Sequence, residues 1–115
     1  MSGPALIRLA AVSGAIAVIA GAFGAHGATG RAVDWFKTGG EYELIHAVAV
    51  IVVARLGVLP AAWLMLGGSA LFAATLYAMG LGGPLWLGAV TPVGGSAMIL
   101  GWLWFAWRAA DLRAG

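Results

Sequence analysis

Two histidines, His26 and His46, stand out in a chain of 115 residues that contains no Cys, no Asn and no Gln. An imidazole at the edge of an apolar run suits three kinds of chemistry. It can ligate a metal or haem, carry a proton, or satisfy itself by a hydrogen bond in lipid. His26 closes the stretch GAFGAHG at 21–27, and His46 closes TGGEYELIH at 38–46. On a helix Tyr42 and His46 stand four apart and Glu43 and His46 three apart, so either partner can reach the ring on one face. Tyr77, Thr91 and Ser96 fall toward the same side of the apolar slab. His26, Glu41, Tyr42, His46, Tyr77 and Thr91 therefore form the candidate cluster, either ligand-binding or structural. Were a metal held, His26, His46 and Glu41 would hold it, and a bis-histidine haem would need the two rings to face each other. No H-E-x-x-H stretch is present and the only soft ligands are four Met, so no metal and no cofactor is expected.

Other catalytic patterns are absent. There is no thiol nucleophile and no G-x-S-x-G, and Ser13, Ser69 and Ser96 have no acid–base partner nearby in sequence. Gly21, Gly24 and Gly27 do not have the G-x-G-x-x-G spacing, and no strand precedes them. A binding role is favoured over catalysis.

The elements that must position these groups are dictated by hydropathy. Hydrophobic residues make up 63% of the chain and charged ones 9%, with mean hydropathy +1.00, which excludes a soluble domain. The pI near 9.7 does not signal nucleic acid, because the net charge is only +2 and the basic residues are scattered. A crossing helix needs about 20 apolar residues. Four stretches qualify, at about 5–26, 42–59, 61–81 and 91–107, so the fold class is an all-α integral membrane four-helix bundle forming a single domain. The first of them is read as a helix rather than a cleaved leader. Gly39-Gly40, Pro60 and Gly82-Gly83-Pro84 mark the breaks, and Thr91-Pro92 reads as a capped helix start. Residues 28–40 read as the one substantial polar connection, either a loop or a short interfacial helix.

Four spans leave both termini on one side together with Arg8, Arg55, Arg108 and Arg113, which the positive-inside rule places in the cytoplasm. No Asp, Glu, Lys or His has a clear midplane position, so a side-chain proton relay lacks intermediate carriers. Ser13, Ala17, Gly21 and Ala25 recur every fourth residue and give the first helix a smooth packing strip, to which Gly24 adds. Ala70, Ala74 and Ala78 suggest a strip on the third helix, and Gly94, Gly95, Ala97 and Gly101 one on the fourth.

Taken in order, GAFGAH at 21–26, TGGEYELIH at 38–46, LFAATLY at 71–77 and VTPVGG at 90–95 followed by Gly101-Trp102 resemble the YgdD-like family. These are small bacterial inner-membrane proteins of unknown function with eukaryotic relatives. The resemblance spans nearly the whole chain and implies four helices in the cytoplasmic membrane. It departs where the family has Glu-Tyr-Gln, here Glu41-Tyr42-Glu43, and where it has Ser-Gly-Ser, here Ala73-Ala74-Thr75. The residues point to a binding or accessory protein for a lipid-like ligand or a membrane partner, its surroundings membrane lipid and its partner a second copy or another subunit. The alternatives are a metal- or haem-dependent redox protein using His26 and His46, and, third, a small-solute transporter.

Overall fold

The computed structural model describes residues 3–112, and Arg113, counted above among the cationic residues, lies outside them. Four helices fill the chain: α1 Gly3–His26, α2 Arg31–Arg55, α3 Leu59–Gly80 and α4 Thr91–Ala109, with a short 3-10 helix Leu85–Ala89 leading into α4. Short connections make neighbours antiparallel. Both ends of the chain therefore lie at one end of the bundle with the α2–α3 turn, and the α1–α2 and α3–α4 connections lie at the other, called here the turn end. The molecule is 48 Å long.

The helices do not close into a ring. α1 packs on α2, α2 on α3 and α3 on α4, while α1 and α3 touch only over a short stretch. Leu6, Val50, Val53, Ala61 and Met65 are fully buried near the chain ends, whereas Ile19, Ile45 and Leu103 are each at least 59% exposed. In water such a surface would aggregate; in lipid it is the solvated face. The Gly3–His26, Leu59–Gly80 and Leu85–Ala109 segments are each long and apolar enough to cross a membrane. An all-α membrane bundle is the fold.

The largest departure from expectation is α2. Residues expected as the 28–40 connection are helical from Arg31 onward, leaving only Gly27–Gly30 as the turn. Phe36, Gly39, Gly40, Glu43, His46, Ala47, Val50, Val53 and Ala54 make one unbroken buried stripe at three- and four-residue spacing. Phe36 anchors it, edge-on to Phe23 and stacked 5.6 Å from Tyr77. Gly39-Gly40, read as a break, instead lies inside the helix where neighbours come too close for a side chain. A Cβ on Gly39 would lie 2.7 Å from the Tyr77 ring, and one on Gly40 would lie 3.1 Å from the Ala17 carbonyl oxygen. Tertiary packing outweighs the roughly 1 kcal/mol per residue that glycine costs a helix.

At the other end of α2, Gly57 takes φ 85°, and the Val58 N–H donates back to the Val53 carbonyl at 3.2 Å. This left-handed stop satisfies the last carbonyls and lets α3 start at Leu59, with Pro60 in its first turn. α4 starts at Thr91, but Thr91 does not cap it; no side chain does, and its hydroxyl is used elsewhere.

The small-residue strips divide. α3 and α4 meet through Gly68, Gly94 and Gly101, where a Cβ on Gly94 would fall 2.6 Å from the Gly68 carbonyl oxygen. Gly95 meets only the Phe72 ring, at an ordinary 3.9 Å. The expected strip of Ala70, Ala74 and Ala78 does not carry this contact, since Ala70 and Ala74 are exposed. The buried face of α3 runs instead through Ala61, Met65, Gly68 and Ser69.

Candidate functional site

The polar groups gather around two residues of α2. Glu43 is the thirteenth of the 25 residues of α2, halfway along it, and is 4% exposed. Ser13 of α1 donates its hydroxyl to Glu43 Oε2 at 2.7 Å, and Tyr77 of α3 donates its phenol to Glu43 Oε1 at 2.7 Å. One carboxylate thus ties α1 to α3 through α2. Both donors are neutral, and among the described residues the recorded ion pair joins Arg108 to Asp111, not Glu43 to any cation. Once α2 starts at Arg31 rather than near Tyr42, Glu43 lies at the middle of its helix instead of at its start.

His46 lies one turn further along the same stripe, 5% exposed. Its Nδ1 donates to the Tyr42 carbonyl at 2.7 Å, which requires the proton on Nδ1. Nε2 then accepts from the indole N–H of Trp102 on α4 at 2.9 Å. Both ring nitrogens are engaged, and neither Glu43 nor the Tyr42 phenol is the partner that the helical spacing suggested. Trp102 stands edge-on to the imidazole at 5.8 Å, and the Tyr42 ring leans on Phe72 at 5.1 Å.

His26 does not join this group. It is exposed at the end of α1, beyond the level where Gly24 meets Phe36 and Lys37. Phe36 and His46 are ten residues apart on α2, roughly 15 Å along the axis, so the two histidines do not face each other. The facing pair that a bis-histidine centre needs is not formed. Among the described residues no group of three or more His, Asp or Glu could hold a metal ion.

The remaining candidates fall as follows. Glu41 is exposed, on the face opposite Glu43. Tyr77 is in the clasp. Thr91 is buried, its hydroxyl 2.7 Å from that of Thr75 and 3.2 Å from the Leu87 carbonyl, a staple between α3 and the start of α4. The sequence cluster therefore contains His46 of α2's polar stripe and Tyr77, which bonds to that stripe, and leaves out Glu43, the carboxylate of the clasp. The missed signal was spacing. Glu43 falls in register with Gly39, Gly40, Ala47 and Val50, whereas Glu41 falls with Lys37 and Ile45.

Several concavities open on the lipid-facing surface of the described residues. A groove of about 520 Å³ runs between α1 and α2, with Ala17, Gly21 and Ala25 on one wall and Lys37 and Glu41 on the other. A crevice of about 290 Å³ separates α1 from α3, with Ser13 and Glu43 on its lining. A third, about 350 Å³, is framed by Tyr42, His46, Phe72 and Trp102. A Cβ on Gly21 would meet nothing within 4 Å, and the same holds for Gly67 in the crevice.

Fold and site together define a small all-α polytopic membrane protein whose helices are joined by buried polar clasps. The comparisons specify it further: a family model described as "Protein of unknown function (DUF423)" matches residues 20–95, and the chain belongs to that family. It is 39% identical over 109 residues to the UPF0382 membrane protein YwdK of Bacillus subtilis, covering 84% of this chain and 89% of that one. A UPF0382 membrane protein of Haemophilus influenzae is 34% identical over 115 residues, covering 88% and 90%. The UPF0382 inner membrane protein YgdD of Escherichia coli is 36% identical over 114 residues, covering 89% and 86%. No solved structure matches.

Proposed function

We propose that the protein binds a phospholipid-like amphiphile in the groove between α1 and α2. The observation that carries this reading is the groove's composition: an apolar trough floored by small residues, with Lys37 and Glu41 one turn apart at its edge. A cation and an anion side by side complement a zwitterionic headgroup, and the strip of Ala17, Gly21 and Ala25 leaves room for an acyl chain. About 520 Å³ is within the range of roughly 300–1,000 Å³ typical of small-molecule sites. Along the groove α1 and α2 approach closely at Gly40 and Gly24, which close its floor, while the side of Gly21 away from Gly40 stays open.

In this reading the chain crosses the bacterial inner membrane four times with both termini in the cytoplasm, supported by Arg8, Arg55 and Arg108 at one end of the bundle. Reporter fusions to the C-terminus are expected to be active with a cytoplasmic reporter and silent with a periplasmic one; the reverse pattern would overturn the orientation. The groove would then open toward the periplasmic leaflet.

Native mass spectrometry after gentle extraction is expected to find one phospholipid mass retained on the wild-type protein. Gly21→Leu, which fills the groove from a position with open space around it, is expected to lose that adduct while the protein stays folded. Lys37→Glu is expected to weaken retention of a zwitterionic lipid. Equal retention by wild type and Gly21→Leu would sink the proposal, and a mass of two chains with no lipid would favour a second copy as the occupant.

A further inference from the structure

We infer that the crevice between α1 and α3 is a binding site for a lipophilic ammonium ion, with Glu43 as its counter-charge. The inference is independent of the α1–α2 groove, since the two concavities share only α1 and α2 as walls and have no lining residue in common.

The chemistry starts from Glu43. A carboxylate in an apolar interior is costly unless a cation neutralises it, and a pair of hydroxyl donors lowers that cost without supplying charge. Ser13 and Tyr77 each occupy one carboxylate oxygen, which leaves a further lone pair on each. No Lys, Arg or His is recorded in an ion pair with Glu43 among the described residues. An ionisable group held this way inside an apolar helix bundle marks a functional site by default.

The surroundings narrow the occupant. The crevice is about 290 Å³ and opens between two helices that hardly touch, with α2 behind them. Its walls are Leu9, Val12 and Ile16 on α1 and Leu66 and Gly67 on α3, and the Trp63 indole lies at its border. Apolar walls exclude a hydrated metal ion, which would have to shed its water for a single carboxylate. They suit alkyl groups around a nitrogen cation, and an indole face adds attraction for such a cation. Entry is sideways from the lipid, where lipophilic cations concentrate.

The test is equilibrium dialysis of radiolabelled tetrapropylammonium against the protein in lipid nanodiscs, with empty nanodiscs as the baseline. Saturable binding to the wild-type protein is expected. Glu43→Gln preserves the side-chain shape and an acceptor for the clasp, and is expected to weaken binding on the order of tenfold or more. Gly67→Leu leaves Glu43, Ser13 and Tyr77 untouched and fills the crevice from open space, so it is expected to abolish binding with unchanged helicity and elution volume. No saturable binding by the wild type, or equal binding by Glu43→Gln, would overturn the site itself. Loss with Glu43→Gln but full binding by Gly67→Leu would overturn its placement in this crevice.

Discussion

Replacing Gly94 by leucine is expected to separate α4 from α3 and to lower the stability of the bundle by roughly 3 kcal/mol or more, at the upper end of overpacking costs because the obstruction is backbone. The Gly94 position faces the Gly68 carbonyl oxygen and the Phe72 backbone nitrogen, both 2.6 Å from where a Cβ would stand. Neither atom can rotate away. In lipid there is little hydrophobic gain from apposing two apolar helices, so close van der Waals contact and the backbone approach that glycine permits hold the pair together. α4 depends on this more than the others do, because beyond α3 its recorded tie is the Trp102 to His46 hydrogen bond. Gly95→Leu is the control: it changes the neighbouring residue by the same volume, but its Cβ position has only an ordinary 3.9 Å contact with Phe72. Thermal unfolding in nanodiscs should show a large drop for Gly94→Leu and a shift within roughly 1 kcal/mol for Gly95→Leu. Equal shifts would mean that the α3–α4 contact is not what glycine at 94 serves.

The contrast between these two glycines also shows what was readable from sequence. Helix number, apolar character and family membership follow from hydropathy and motif order, since those signals are local and repeated along the chain. Which glycine is a contact and which is a wall of a cavity depends on the rotation of one helix against another, and 94 and 95 differ by about 100° around the axis. The same applies to α2. Arg31, Asp34 and Lys37 made its first three turns look like a solvated connection, because a hydropathy average does not distinguish charges spread around a helix from charges in a loop. The stripe of Phe36, Gly39, Gly40 and Glu43 contained the correct answer at a period of three to four residues, but the paired glycines read as a break. The position of that boundary decides where the polar groups lie. With α2 starting near Tyr42, Glu43 lay at the membrane edge and His46 just inside, level with His26. With α2 starting at Arg31, Glu43 moves to the centre and His46 moves away from His26. The histidine of GAFGAHG is then an exposed helix terminus, and the polar chemistry of the bundle belongs to α2.

Glu43→Ala is expected to be the most damaging change among the polar residues, because it releases both ends of a clasp. Ser13 and Tyr77 would each be left without the acceptor they now address at 2.7 Å. An unsatisfied buried group costs about 1–3 kcal/mol. Ser13 has an escape, since a serine on a helix can turn its hydroxyl to the carbonyl one turn earlier. Tyr77 has less freedom: its ring is stacked on Phe36 and fills the space that Gly39 leaves, so the phenol stays where Glu43 was. The net loss is therefore expected at roughly 2–4 kcal/mol for Glu43→Ala, and nearer 1 kcal/mol for Glu43→Gln, which keeps an acceptor and the volume. Tyr77→Phe retains the stack and removes only the hydroxyl, and Glu43→Ala removes its acceptor, so these two changes make a double-mutant cycle on the hydrogen bond. Its coupling energy is expected between roughly 0.5 and 2 kcal/mol, the range of interhelical hydrogen bonds in membranes. Steric-trap or thermal unfolding in a bilayer would measure it. Zero coupling would mean that Glu43 and Tyr77 are neighbours without being partners, and that α1 and α3 are held apart by α2 rather than drawn together across it.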